Sequence, residues 1–89
     1  MDIKISRAIT LTAENGHKHE IEYLLFSEPG DGLEHYGVAL ISRTRNEREH
    51  IRDVTTLPDK IAELYELLVR NTVTPATVRD VVRDWLEND

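Results

Sequence analysis

The sequence contains no cysteine. Without thiols it can form no disulfide framework, no thiolate zinc site and no cysteine nucleophile. The absence also fits a reducing compartment, where oxidative cross-links are not needed. Aromatic residues are scarce, with one tryptophan, one phenylalanine and three tyrosines. No apolar run approaches the roughly 20 residues that cross a bilayer. The first residues, Met1-Asp2-Ile3-Lys4, lack the basic start and apolar stretch of a signal peptide. Positive charge is short as well: 11 Lys and Arg face 17 Asp and Glu, for a formal net charge of -6. An acidic balance argues against nonspecific binding to nucleic acid or to anionic membranes. Together these features lead us to expect a cytoplasmic protein with no membrane segment.

The 89 residues leave room for one domain, spanning 1–89, with one hydrophobic core. A chain of this size buries only roughly 60–65% of the surface it exposes when unfolded. Its core should be thin, one sheet face covered by helices, and a deep catalytic cavity is not expected.

The first half alternates. Ile3, Ile5, Ile9 and Leu11 share one parity, and Lys4, Ser6, Thr10 and Thr12 the other. Period two marks a strand with one buried face. Arg7 breaks the apolar row, which suggests a bulge or an edge at that point. Asn15-Gly16 is a hairpin signal, since both residues tolerate positive φ. A second strand is expected from about His19 to Phe26, a loop over Ser27–Gly32, and a third strand over Glu34–Ser42. The third is apolar on both parities, as a central strand should be. Thr44–Glu47 reads as a polar turn, and Ile51 and Val54 mark a shorter fourth strand at an edge.

The period then changes to 3.6. Thr56-Leu57-Pro58-Asp59 reads as a helix start, with Thr56 as cap and Pro58 in the first turn. Ile61, Leu64, Leu67 and Leu68 form its stripe, and Asn71 ends it. Thr74-Pro75 reads as the start of a second helix, on which Val78, Val81, Val82, Trp85 and Leu86 recur at i, i+3, i+4, i+7 and i+8. Trp85 completes that stripe and is expected to be largely buried. The expected fold is α+β: a four-stranded antiparallel meander over 1–55, then a two-helix hairpin over 56–89 packed on one sheet face.

Asn71-Thr72-Val73-Thr74-Pro75 and Asp80-Val81-Val82-Arg83-Asp84-Trp85-Leu86 resemble the ending of a family of small uncharacterised Firmicutes proteins. Those proteins share an N-x-V-x-P segment and a D-V-V-x-D-aromatic-Leu helix. Glu22-Tyr23, Tyr36-Gly37-Val38 and Ile51-Arg52-Asp53-Val54 are similar to internal landmarks of the same family. The resemblance covers nearly the whole chain. It implies a single domain in a bacterial cytoplasm, and it supplies no catalytic residue.

The chemical candidates are few. His17 and His19 would share one strand face, as metal ligands require. With the turns drawn above, His19, Ile41 and His50 fall in one lateral row, the histidines roughly 10 Å apart across two strand spacings. Zinc bonds of about 2.0–2.1 Å cannot bridge that gap, so solvated histidines are the better reading. Asp80 and Asp84 are neighbours on the second helix, interleaved with Arg79 and Arg83, and read as a solvated face. Gly30-x-Gly32 does not lead from a strand into a helix, so turn chemistry accounts for it. No catalytic constellation assembles, and no cofactor is implied. We therefore expect a protein that is not an enzyme.

Two surfaces remain. Arg43, Arg45 and Arg48 crowd the third turn, and with Arg52 they make 43–52 locally +2 against Glu47 and Glu49. Arginine's rigid donor fork suits carboxylate or phosphate, so this hairpin is a candidate anion contact. If Tyr23 and Tyr36 face the helices, then Leu24, Phe26, Ala39 and Ile41 line the sheet face left bare. An exposed apolar patch of that kind marks an association surface. The expected function is a protein-interaction or regulatory module that binds a protein partner or itself. An anion- or nucleic-acid-binding domain built on the Arg43–Arg52 hairpin is the alternative.

Overall fold

The computed structural model describes residues 1–88. Four strands form one antiparallel sheet in the order β1-β2-β3-β4, and two helices follow. The strands are β1 (Asp2–Thr12), β2 (Lys18–Gly30), β3 (Leu33–Ser42) and β4 (Glu47–Thr55). The helices are α1 (Pro58–Arg70) and α2 (Val78–Asn88), and both contact the sheet. This is the α+β ββββαα layout expected from the change of period. β2 and β3 are the internal strands and β4 is an edge.

Register sorts the side chains. Arg7 lies opposite Tyr23, Tyr23 opposite Leu40, and Leu25 opposite Val38. These residues face the helices, with Ile61, Leu64, Tyr65 and Leu68 of α1 and Val78 and Val82 of α2 completing the main core. Tyr65 joins the α1 stripe at the spacing 61, 64, 65, 68, whereas Leu67 is only partly buried. Arg7 breaks the apolar row because its guanidinium lies 5.5 Å from the Tyr65 ring centroid and pairs in bidentate fashion with Glu66. Of the bulge or edge expected at Arg7, the edge holds, since β1 is an outer strand, and the bulge falls between Ile3 and Ile5.

Several boundaries differ from the sequence reading. β2 does not stop at Phe26 but runs on to Gly30, because Asp31 and Gly32 (φ 52 and 77) close a two-residue hairpin loop that Asp-Gly favours. Pro29 is tolerated there because β1 ends opposite Ser27, leaving β2 without a neighbour on that side. The N-cap of α1 is Leu57 rather than Thr56, and it is Thr55 Oγ1 that accepts the Leu57 N–H. Residues 75–77 form a turn, so Thr74 is not the cap of α2, which starts at Val78.

The α1–α2 link is tied down by backbone geometry. Thr72 N–H donates to Val69 O and Val73 N–H to Leu68 O, a Schellman closure with Thr72 at positive φ. Val73 is thereby turned into the core, where Tyr23 Oη donates to its carbonyl at 2.8 Å. Tyr65 Oη in turn donates to Tyr23 O at 2.7 Å. Burial pushes the Tyr23 phenol up to about 12, so it stays a donor at any physiological pH. Trp85 packs against the core only partly buried, and Leu86 is 47% exposed. α2 meets the sheet chiefly at edge strand β4, and the outer end of its stripe is left exposed at Leu86.

Candidate functional site

The face turned away from the helices carries a second, smaller cluster of Leu24, Phe26 and Ala39, with Ile41 packed against it. The face assignment therefore follows the parity reading. The expectation that all four side chains lie bare does not hold: Phe26 and Ala39 are 0% exposed and Leu24 7%, while Ile41 is partly exposed. Their cover comes from the sheet itself. Phe26 sits opposite Gly37, and its ring occupies the space a side chain there would need. A Cβ on Gly37 would lie 2.6 Å from Phe26 Cζ and would also strike the Ile51 carbonyl. The His50 ring lies with its centroid 6.4 Å from that of Phe26. Ile3 lies opposite Phe26 on β1, brought to this face against its parity with Ile5 by the bulge between them, and is 50% exposed.

Charged pairs flank this apolar centre. Arg43 approaches Glu22 at 3.6 Å, and Ser6 Oγ donates to Glu22 at 3.4 Å. Arg52 donates two hydrogen bonds of 2.8 Å to Glu28 and holds its carboxyl below the usual range. His35 links the β2–β3 hairpin to β4, with Nδ1 2.8 Å from Asp53 Oδ1 and Nε2 3.0 Å from Gly30 O. Both partners only accept, so the doubly protonated ring satisfies both. The hydrogen bond to Asp53, followed by that to Gly30, raises the His35 pKa above its ordinary value.

The arginines of the third hairpin do not converge. Arg43 turns to Glu22, Arg48 sits opposite Ile41, Arg52 turns to Glu28, and Arg45 lines a cavity on the helix side. The histidine row is not formed either. His50 lies opposite Ala39, and His19 lies opposite Leu11 on the other face. Among the described residues no group of three or more His, Asp or Glu side chains could hold a metal ion. Asp80 pairs with Arg83 at 2.6 Å on an exposed helix face.

A helix-side cavity, unannounced by any local motif, completes the candidates. It measures about 100 Å³ and lies where the end of the sheet meets the α1–α2 link. Leu11, Ile21, Pro75 and Ala76 form apolar walls, and His19, Ser42, Arg45, Glu47 and Thr74 supply polar groups. Ser42 Oγ and His19 Nδ1 are buried without a hydrogen-bond partner among the described residues. Such a group costs about 1–3 kcal/mol when left unpaired. Ser27 Oγ is a third such atom, elsewhere in the core beside Tyr36.

The family model described as Family of unknown function (DUF6514) matches residues 3–88. The chain belongs to this family. No curated protein and no solved structure matches the chain. Membership in DUF6514 brings no assigned activity, so the functional reading rests on the geometry above.

Proposed function

We propose that this chain is a non-enzymatic protein-interaction module that docks a second copy of itself on the open face of its sheet. The carrying observation is the half-exposed Ile3 and partly exposed Ile41 beside the Leu24, Phe26 and Ala39 cluster, on a face neither helix covers. Protein interfaces join an apolar centre to a charged rim, and here the Glu22–Arg43 and Glu28–Arg52 pairs form that rim. Charge sorting favours a second copy as the occupant. By register Lys18, Glu20, Glu22 and Glu28 project from β2 on this face, a net acidic row, and Arg48 from β4, with Arg52 paired to Glu28. A twofold axis along the strands turns the acidic strand of one copy toward the basic side of the other.

The family resemblance supports a bacterial, Firmicutes-type cytoplasmic setting, and the reading needs no cofactor. An anion or nucleic-acid contact by Arg43, Arg45 and Arg48 is less favoured. Arg43 already has Glu22 nearby, and the net charge is -6.

Sedimentation at several protein concentrations tests the reading. Wild type should form dimers that persist in high salt, because an apolar contact tolerates salt and phosphate contacts do not. Ile3→Lys and Ile41→Lys should return it to monomer without loss of fold. Phe26 is unsuited to this test because it is fully buried. A wild type that stays monomeric throughout the micromolar range contradicts the reading.

A further inference from the structure

The cavity under the helix link unites features that the sheet-face reading leaves unused: His19, Arg45 and the Thr74-Pro75 segment. From the helix-facing side of the sheet come Leu11 of β1, His19 and Ile21 of β2, and Ser42 of β3. The link closes it with Thr74, Pro75 and Ala76. The link is held in place independently, by the Schellman closure at Thr72–Val73 and by the Tyr23 hydroxyl on Val73 O. The walls are therefore preorganised, not a fortuitous gap between mobile loops.

Its chemistry is one-sided in donors. Ser42, 2% exposed, offers a hydroxyl with no partner among the described residues, and His19 Nδ1 is in the same position. Either can donate, since the hydroxyl rotates and the neutral imidazole can carry its hydrogen on Nδ1. Arg45, exposed in the β3–β4 turn, adds a permanent cation, and Glu47 is the one acid in the lining. Thr74 adds a hydroxyl, and the remaining surface is aliphatic. A cavity of roughly 150 Å³ accepts benzene. The one here, at about 100 Å³, has room for a smaller molecule.

We infer that this cavity is a binding site for a short aliphatic carboxylate. The carboxylate oxygens accept from Ser42 Oγ, His19 Nδ1 and Arg45, and the alkyl tail lies against Leu11, Ile21 and Pro75. Binding supplies the buried Ser42 and His19 atoms with the partners that the fold does not give them, which is a differential gain for the liganded state.

Titration of the full chain with propionate, followed by amide NMR shifts, tests this directly, with propanol as the neutral probe of similar size. Propionate should give saturable shifts at His19, Ser42, Arg45 and Ala76. Propanol should bind at least about tenfold more weakly, the usual margin for hydrogen bonds to a charged group. Ser42→Ala should weaken propionate by about tenfold while leaving the melting temperature undiminished, because the hydroxyl it removes has no partner in the chain. Ala76→Leu, at an exposed link position, closes the cavity without touching the sheet and should abolish the shifts. The inference is overturned if propionate gives no saturable shift, if propanol binds as well, or if Ser42→Ala or Ala76→Leu leaves propionate binding unchanged.

Discussion

On the helix side of the sheet, Tyr23 and Val38 reach 0% exposure beneath α1 and α2, whereas on the open side Phe26 and Ala39 reach 0% with no layer above them. The first face is buried by a second layer of secondary structure, and many side chains share the contact. The second is buried by one aromatic ring folded over one glycine, with flanking polar side chains around it. A small cluster of this kind contributes less to folding because less apolar area leaves water. It also leaves its margin at Ile3 and Ile41 available to a partner. On the proposed reading, burial on the two faces serves different ends, stability on one side and docking of a second copy on the other.

The largest expected effect lies on the helix side. Leu64→Ala, at a position 0% exposed, should cost about 2–5 kcal/mol in chemical denaturation. A cost under about 1 kcal/mol would mean that the helix layer is not the main source of stability. On the open side, Gly37→Ala should cost about 1–3 kcal/mol through overpacking against Phe26 and the Ile51 carbonyl. Part of that cost should disappear in a Phe26→Leu background, because the two residues share one space. Strict additivity of the two substitutions would contradict the account of how Phe26 is buried.

Which parts were legible follows from what each signal encodes. Alternation in β2 and β3 and the stripes of α1 and α2 report faces directly, so the ββββαα order and the faces of the inner strands could be read from the residues, whereas the bulge after Ile3 carries that residue to the open face against its parity with Ile5. Features that depend on which residues lie opposite each other could not. Phe26 meets Gly37, and His19 and His50 fall on opposite faces, only because of a register set by turns and bulges. Thr74-Pro75 has the composition of a helix start, yet the chain spends Thr74–Thr77 in a turn first, with Thr77 N–H donating to Thr74 O. Trp85 has the right spacing for the core, but spacing does not say that α2 meets the sheet chiefly at an edge strand. The cavity joins residues from all four strands, a turn and the link, a juxtaposition with no local sequence signature.

The smallest expected effect belongs to His35, at the margin of the open face. Its pKa is raised, chiefly by the hydrogen bond to Asp53, above the ordinary 6.5. The stabilisation is therefore full below about pH 6.5 and is lost as pH rises through the higher folded value. Melting temperature should fall modestly over that interval in wild type, and His35→Gln should flatten the dependence. A melting temperature that rises with pH there, and still does so in His35→Gln, would remove His35 from the account.

On the proposed reading a second copy docks on the open face and not on the helix face. Leu57 and Leu86, 56% and 47% exposed on the helical elements, are controls as exposed as Ile3 at 50%. The most direct measurement mixes methyl-labelled chain with unlabelled chain and records intermolecular NOEs. They are expected at the methyls of Ile3 and Ile41 and not at those of Leu57 and Leu86. NOEs confined to Leu57 and Leu86, or none at concentrations where the wild type is associated, would contradict it.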